Sequence, residues 1–233
     1  MIWALHGNLG RPGDWAGLRE ALSDLELVSP SLWCPGPLPF QAWADQFNRE
    51  VRSRDSHPVL IGYSLGGRLA MHALKNPGAP WKAAVFVSAH PGLSDPVARE
   101  LRLEEDRGWA DLLKSRPVAE FLERWNAQPA LRGEPVTPDQ AETVSTYREA
   151  ISAAFSVWSL GNQADLRPDL ALCEVPQLWV AGALDRKFAP LMEEAAALIP
   201  SASYAEIGES GHRVPLRNPL GLAECVRRFL AAT

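Results

Sequence analysis

The chain is poor in cysteine, carries no strong excess of either charge and contains no long apolar run, and each shortage removes a class of function. Cys34, Cys173 and Cys225 are widely spaced in 233 residues and form no C-x-x-C pair. Neither a disulfide framework nor a zinc site is expected, and buried or neutral thiols are. With 23 basic and 28 acidic residues interspersed, the formal net charge is -5. That balance offers no basic stripe for nucleic acid and no polybasic patch for a membrane, so a small-molecule partner is expected. No apolar run approaches the ~20 residues that span a bilayer. The opening MIWALHG reads as a strand entering a turn. It lacks the basic start, long apolar centre and small-residue cleavage site of an export signal, so a cytoplasmic location is expected. There is no internal repeat or low-complexity tract.

What is present is a regular alternation of short aliphatic runs and helical periods. With 46% of its residues hydrophobic, a chain of this length can bury one core and close a pocket. Ile2 to Leu5 reads as a strand, and Trp15, Leu18 and Leu22 follow at helix spacing after Pro12 and Asp14. An extended stretch from Leu27 to Trp33 ends at the Cys34-Pro35-Gly36-Pro37 turn, after which Phe40, Trp43, Ala44, Phe47 and Val51 mark one face of a helix. Val59 to Ile61, Ala83 to Ser88, Gln177 to Ala181 and Ser203 to Ile207 supply further strands. Leu222, Cys225, Val226, Phe229 and Leu230 mark a final amphipathic helix. Such alternation predicts an α/β fold, with a mostly parallel central sheet covered by helices on both faces.

Residues 96–160 break the alternation, holding helical patterns and no convincing strand. Apolar positions recur at Trp109, Leu112 and Leu113, at Val118, Phe121, Leu122 and Trp125, and at Ile151, Ala154, Phe155 and Trp158, with charged faces between them. Pro129, Pro135 and Pro138 punctuate the middle. The expected organisation is a core of residues 1–95 and 161–233 carrying an inserted helical cap over residues 96–160.

Chemistry enters with GYSLGGR at residues 62–68, directly after Val59-Leu60-Ile61. In G-x-S-x-G the serine occupies a sharp strand-to-helix turn that leaves no room for Cβ atoms two residues to either side, which accounts for Gly62 and Gly66. Ser64 then stands at a helix start, where unpaired N–H groups and the dipole stabilise negative charge. A serine hydroxyl is a weak nucleophile or base until a histidine takes its proton, and that imidazole needs a carboxylate to fix its tautomer. The chain order expected in this architecture is serine, acid, histidine. Asp185 in GALDRKF follows the run Leu178 to Ala181, and His212 in GESGHR follows the strand ending at Ile207. Both lie at carboxyl ends of strands, where catalytic groups of open α/β sheets gather. Taken singly, a loop aspartate is more often a helix cap and a lone histidine a surface residue. The joint placement favours the relay. Glu206 and Glu209 lie too close in sequence to His212 to be preferred as its carboxylate. His57, His72 and His90 read as structural or solvent-facing, and Asp24, Asp45 and Asp95 as caps or surface charges. Charge building on a substrate oxygen needs preorganised donors, and the backbone N–H groups of Leu65 and Asn8 are the candidates, with Gly7 in LHGNLG allowing a tight turn.

These segments resemble the α/β-hydrolase superfamily and, within it, the menaquinone-pathway branch of 2-succinyl-6-hydroxy-2,4-cyclohexadiene-1-carboxylate synthases. GYSLGGR, HPGL at 90–93, the arginine-rich stretch Arg99 to Trp109, RWNAQP at 124–129 and GALDRKF at 182–188 carry the likeness through most of the chain. The resemblance implies elimination of pyruvate from a succinyl-cyclohexene carboxylate by Ser64, His212 and Asp185, with no cofactor, no metal and no water added. It also implies a small anionic substrate with three carboxylates. Arg68, Arg102 and Arg148 match the family's substrate-binding arginines, and Tyr63 and Trp125 its aromatic contacts. Arginine's planar fork suits carboxylates, although a single helical arginine is ordinarily a solvated one, and Trp125 equally continues the apolar period of Val118 and Phe121. Two other readings stay open. One is a carboxylesterase or related hydrolase in which Ser64 forms an acyl-enzyme that water clears; the other is a non-catalytic ligand-binding protein, against which an intact relay argues. Homo-oligomerisation is also left open.

Overall fold

The computed structural model describes residues 1–137 and 139–233; Pro138, one of the prolines expected to punctuate the cap, lies outside them. Among the described residues one sheet holds β1 (Ile2–Leu5), β2 (Leu27–Val28), β3 (Val59–Tyr63), β4 (Ala83–Val87), β5 (Gln177–Gly182) and β6 (Ala202–Ile207). Their spatial order is β2-β1-β3-β4-β5-β6, and every pairing is parallel. From β1 the chain steps to β2 on one side, then crosses to β3 and proceeds the other way. The loops after β1 and β3 therefore part at this reversal and leave a crevice at the carboxyl ends.

The helices are α1 (Ala16–Ala21), α2 (Phe40–Arg54), α3 (Leu65–Leu74), α4 (Pro96–Ser115), α5 (Val118–Asn126), α6 (Gln140–Thr146), α7 (Arg148–Val157), α8 (Arg167–Ala171), α9 (Phe188–Ala197), α10 (Val214–Arg217) and α11 (Pro219–Ala231). Side chains alternate across each strand. Trp3, Leu5, Leu60, Phe86 and Trp179 join the core beneath α2, α3 and α9, while Ile2, Ala4, Ile61, Val85, Leu178 and Val180 join the one beneath α1 and α11. Burial on both faces is why the strands read as unbroken apolar runs rather than as alternating ones.

The edge strand β2 is shorter than the extended stretch expected from Leu27 to Trp33. Pro30 has no N–H to give a ladder, and the following residues bond the loop after β1 instead: Leu32 N–H donates to His6 Nε2 (3.1 Å) and Trp33 Nε1 to Gly10 O (2.7 Å). Cys34 is exposed rather than buried. Cys173 and Cys225 are partly buried, and burial raises the pKa of both thiols.

Between β4 and β5 lie α4 to α8, with one isolated bridge, Leu93 to Ala164, and no strand among the described residues. Asp95 caps α4 by accepting the Val97 N–H (3.0 Å), and Pro96 occupies the first turn, where its missing N–H is harmless. The apolar faces of α4, α5 and α7 meet in an edge-to-face cluster: Trp125 packs on Trp109 (centroids 5.1 Å) and Phe155 (5.4 Å), with Phe121 fully buried beside them. Trp158 closes the segment onto the core by donating its indole N–H to Leu38 O (2.7 Å).

Candidate active site

Ser64 follows β3 with φ 51° and ψ -112°, a left-handed conformation that a non-glycine residue adopts only under constraint. The constraint is the crossing of backbones. A Cβ on Gly62 would stand 2.5 Å from Gly66 O, and one on Gly66 would stand 2.2 Å from Leu5 O. The Ser64 N–H donates to Val87 O (2.9 Å), pinning the turn to β4.

Opposite the serine, His212 Nε2 lies 3.2 Å from Ser64 Oγ, and His212 Nδ1 lies 2.8 Å from Asp185 Oδ2. An ionised carboxylate only accepts, so Nδ1 carries the ring proton and Nε2 is free to take the serine's. Asp185 serves both roles considered for it, one oxygen each: Oδ1 accepts the N–H groups of Lys187 (3.3 Å) and Phe188 (3.1 Å) at the start of α9, while Oδ2 holds the imidazole. Both partners are shielded, at 4% exposure for Asp185 and 6% for His212. The imidazole is wedged between the rings of Phe188 (4.4 Å) and Tyr63 (5.6 Å). Glu206 instead accepts the Tyr204 hydroxyl (3.0 Å).

The loop after β1 is held rigid from within. His6 is fully buried; its Nδ1 bonds Gly7 O (2.9 Å) and its Nε2 accepts the Leu32 N–H. Burial pushes its pKa down to about 4, so the ring is neutral and its two bonds persist at neutral pH. Asn8 and Leu65 border the cavity above Ser64, and Leu65 is the first residue of α3, where backbone N–H groups lack helical partners. The arrangement can take a proton from the hydroxyl and stabilise an oxyanion beside it.

That cavity, about 130 Å³, is lined by four cationic side chains, Arg68, Arg102, Lys187 and Arg213, and by no acidic one among the described residues. Arg68, one turn into α3, donates from Nη2 to Trp158 O (2.8 Å) and from Nη1 to Gln163 Oε1 (3.4 Å). Among the described residues no carboxylate pairs with it. Burial, and then Arg102, pull its pKa down to about 9, the signature of a cation short of compensation. Arg102 Nε donates to the buried Asp106 (2.9 Å), whose same oxygen accepts Ser159 Oγ (2.7 Å). Tyr63 and Trp125 also line the cavity, so Trp125 is core on one side and wall on the other.

The structure does not bring Arg148 there. At the start of α7 its guanidinium donates to Leu113 O (2.8 and 2.6 Å) and to Arg116 O, satisfying the carbonyls that end α4. Among the lining residues to which the sequence assigns no site role, Lys187, Arg213 and His90 carry the ionisable side chains. Lys187 stands two residues after Asp185 inside GALDRKF, and its position beside a candidate catalytic acid was the available signal. Arg213 is buried, donating to Asn126 Oδ1 (2.6 Å) and Pro135 O (2.9 Å), and its N–H donates to Glu134 Oε2 (3.0 Å). It thereby ties the His212 loop to the segment after α5. His90, expected to be structural or solvent-facing, is partly buried, accepts the Gly92 N–H through Nδ1 (3.0 Å) and lines the cavity. His57 is exposed beside Ser56 and His72 is buried, stacked on Phe40 at 4.3 Å. Among the described residues no group of three or more His, Cys, Asp or Glu side chains is placed to hold a metal ion, and no helix is long and apolar enough to cross a membrane.

Over residues 4–224 the sequence matches the alpha/beta hydrolase family. The chain is an α/β-hydrolase. This α/β-hydrolase is 32% identical over 240 residues to the 2-succinyl-6-hydroxy-2,4-cyclohexadiene-1-carboxylate synthase of Klebsiella pneumoniae (strain 342), covering 98% of this chain and 92% of the relative. The synthase of Serratia proteamaculans (strain 568) is 29% identical over 246 residues, covering 99% and 92%. Among solved structures, MenH from S. aureus aligns with a TM-score of 0.90 at 22% identity over 99% of this chain and 93% of that one. A thermophilic esterase from Thermogutta terrifontis aligns with a TM-score of 0.76 at 20% identity, over 99% and 89%. Since one fold serves both, the substrate of this α/β-hydrolase must be argued from its cavity.

Proposed function

We propose that this α/β-hydrolase is a lyase that eliminates pyruvate from a succinyl-cyclohexene carboxylate, giving 2-succinyl-6-hydroxy-2,4-cyclohexadiene-1-carboxylate in menaquinone biosynthesis. The observation that carries the reading is the charge of the cavity: four cations and no acidic side chain, in a chain whose net charge is -5. An ester of a neutral acid needs no such set, whereas a substrate with three carboxylates does. The nearly full-length likeness to the synthases supports the same reading.

In this mechanism Asp185 orients His212, which draws the proton from Ser64. The serine oxygen then takes a ring proton made acidic by the succinyl carbonyl. The electron pair of that C–H bond enters the ring as the carbonyl oxygen gains charge, held by the N–H groups of Leu65 and Asn8. Return of the pair forms the new ring double bond and breaks the C–O bond to the enolpyruvyl group, which departs as the enolate and is protonated to pyruvate. No water is consumed. Arg68 and Arg102 bind carboxylates, Tyr63 and Trp125 pack against the ring and side chain, and residues 96–160 act as a cap over the core of residues 1–95 and 161–233.

The deciding experiment incubates the protein with the pathway intermediate and with short acyl esters in parallel. Pyruvate release without ester cleavage is expected, and Ser64→Ala should reduce it at least a thousandfold, on the order of what removal of a relay nucleophile does. Ester cleavage without pyruvate release would make the protein a carboxylesterase. Full pyruvate release by Ser64→Ala would end the role of the serine.

A further inference from the structure

We propose that His90 determines specificity in this cavity as a neutral N–H donor, binding a carboxylate of the substrate from a ring whose tautomer the backbone fixes. The proposal deepens the reading of the cavity as a polycarboxylate site and rests on that part of it. His90 lies just beyond β4, and its Nδ1 accepts the Gly92 N–H at 3.0 Å. A ring nitrogen that accepts a hydrogen bond bears no proton, so the single proton of the neutral ring sits on Nε2. Among the described residues Nε2 has no protein partner, and the ring lines the same cavity as Ser64. The backbone is held as well. His90 O accepts Gln163 Nε2 (3.1 Å), and the same amide's oxygen faces Arg68 Nη1 (3.4 Å), so one glutamine sets the histidine and the arginine relative to each other.

Protonation of this ring would break the Gly92 bond and add a charge among cations. Arg68 from α3, Arg102 from α4, Arg167 from α8 and Lys187 from the loop before α9 all oppose it, with Asp165 the acidic group that senses the ring. Burial above all, and then these cations, push the pKa down to about 3. Lysine or arginine at this position would bind any anion from a range of directions. A neutral imidazole N–H gives one directional bond and no further long-range attraction, so it selects where a carboxylate oxygen sits without deepening the hold on the departing anionic products.

The test titrates succinate, a dicarboxylate that does not react, into the unmodified protein and into His90→Leu and His90→Gln. The glutamine amide carries an N–H donor to the place of Nε2, and leucine fills the volume without one. His90→Leu should bind succinate about tenfold more weakly, the size of one hydrogen bond to a charged group, and His90→Gln should recover most of the loss. The ratio between unmodified and leucine proteins should stay constant between about pH 6 and pH 8, because a neutral donor does not titrate there. Ring ¹⁵N spectra of the unmodified protein supply a reading that needs no variant to fold: Nε2 should carry the proton through this range and shift when succinate is added. Equal affinity in His90→Leu, a glutamine variant as weak as leucine, a ratio that grows as the pH falls, a proton on Nδ1, or no succinate binding by the unmodified protein would each overturn the proposal. Absence of pyruvate release would end the lyase reading alone, since succinate binding needs no turnover.

Discussion

Gly66→Ala tests the elbow at its narrowest point. A methyl there would lie 2.2 Å from Leu5 O and 2.5 Å from His6 O, where ordinary contact begins at 3.4 Å, so α3 and the loop after β1 must separate by about 1.2 Å. Those elements carry the two proposed oxyanion donors, and a misplacement of about 1 Å costs a reaction on the order of a hundredfold. Turnover should fall by about that factor. Overpacking at a buried backbone crossing costs about 1–3 kcal/mol, which for a chain of this size lowers Tm by roughly 2–12 °C. The control is Gly108→Ala, exposed in mid-α4, where a Cβ would meet nothing within 4 Å. It should leave turnover unchanged and stabilise by up to about 1 kcal/mol, the helix preference of alanine over glycine. Calorimetry and pyruvate release, with labelling by a serine-directed phosphonate as a readout independent of substrate, measure both variants. A Gly66→Ala protein within threefold of normal turnover, or a Gly108→Ala protein equally damaged, would refute the steric account.

His72 is buried with Nε2 unpartnered, and burial, with Lys75 and Arg68, pushes its pKa down to about 3 from 6.5. The unfolded chain therefore takes up a proton below pH 6.5 that the folded one refuses, so the stability this group contributes is whole above 6.5 and is lost as the pH falls toward 3. His72→Leu should shrink the loss between neutral pH and about pH 5 by roughly 2 kcal/mol in urea titrations; parallel losses in both proteins would contradict this. Arg148→Met should cost about 1 kcal/mol by baring the carbonyls that end α4, while leaving kcat/KM for pyruvate release untouched. A large rise in KM would return Arg148 to the substrate.

The fold and the relay were readable because the constraints behind them are local. A serine between glycines after an aliphatic run dictates a turn, two-sided burial dictates unbroken apolar strands, and chain order sets which loops carry Asp185 and His212. The reading went astray where an outcome depends on which helix faces which. Arg148 matched a motif in one dimension, but α7 packs beside α4 and spends the guanidinium on Leu113 O and Arg116 O. Likewise β2 stops at Val28 because Leu32 and Trp33 find better partners in the loop after β1.

By itself, then, the sequence determined the elbow, the chain order of Ser64, Asp185 and His212 and the α/β architecture, since backbone sterics and strand periodicity act over a few residues. Only the tertiary structure decided that Arg68, Arg102, Lys187, Arg213 and His90 line one cavity whose wall, among the described residues, holds no acidic side chain. Those five side chains come from five separate stretches of the chain, and nothing short of packing the helices between β4 and β5 against the carboxyl ends of the sheet brings them together.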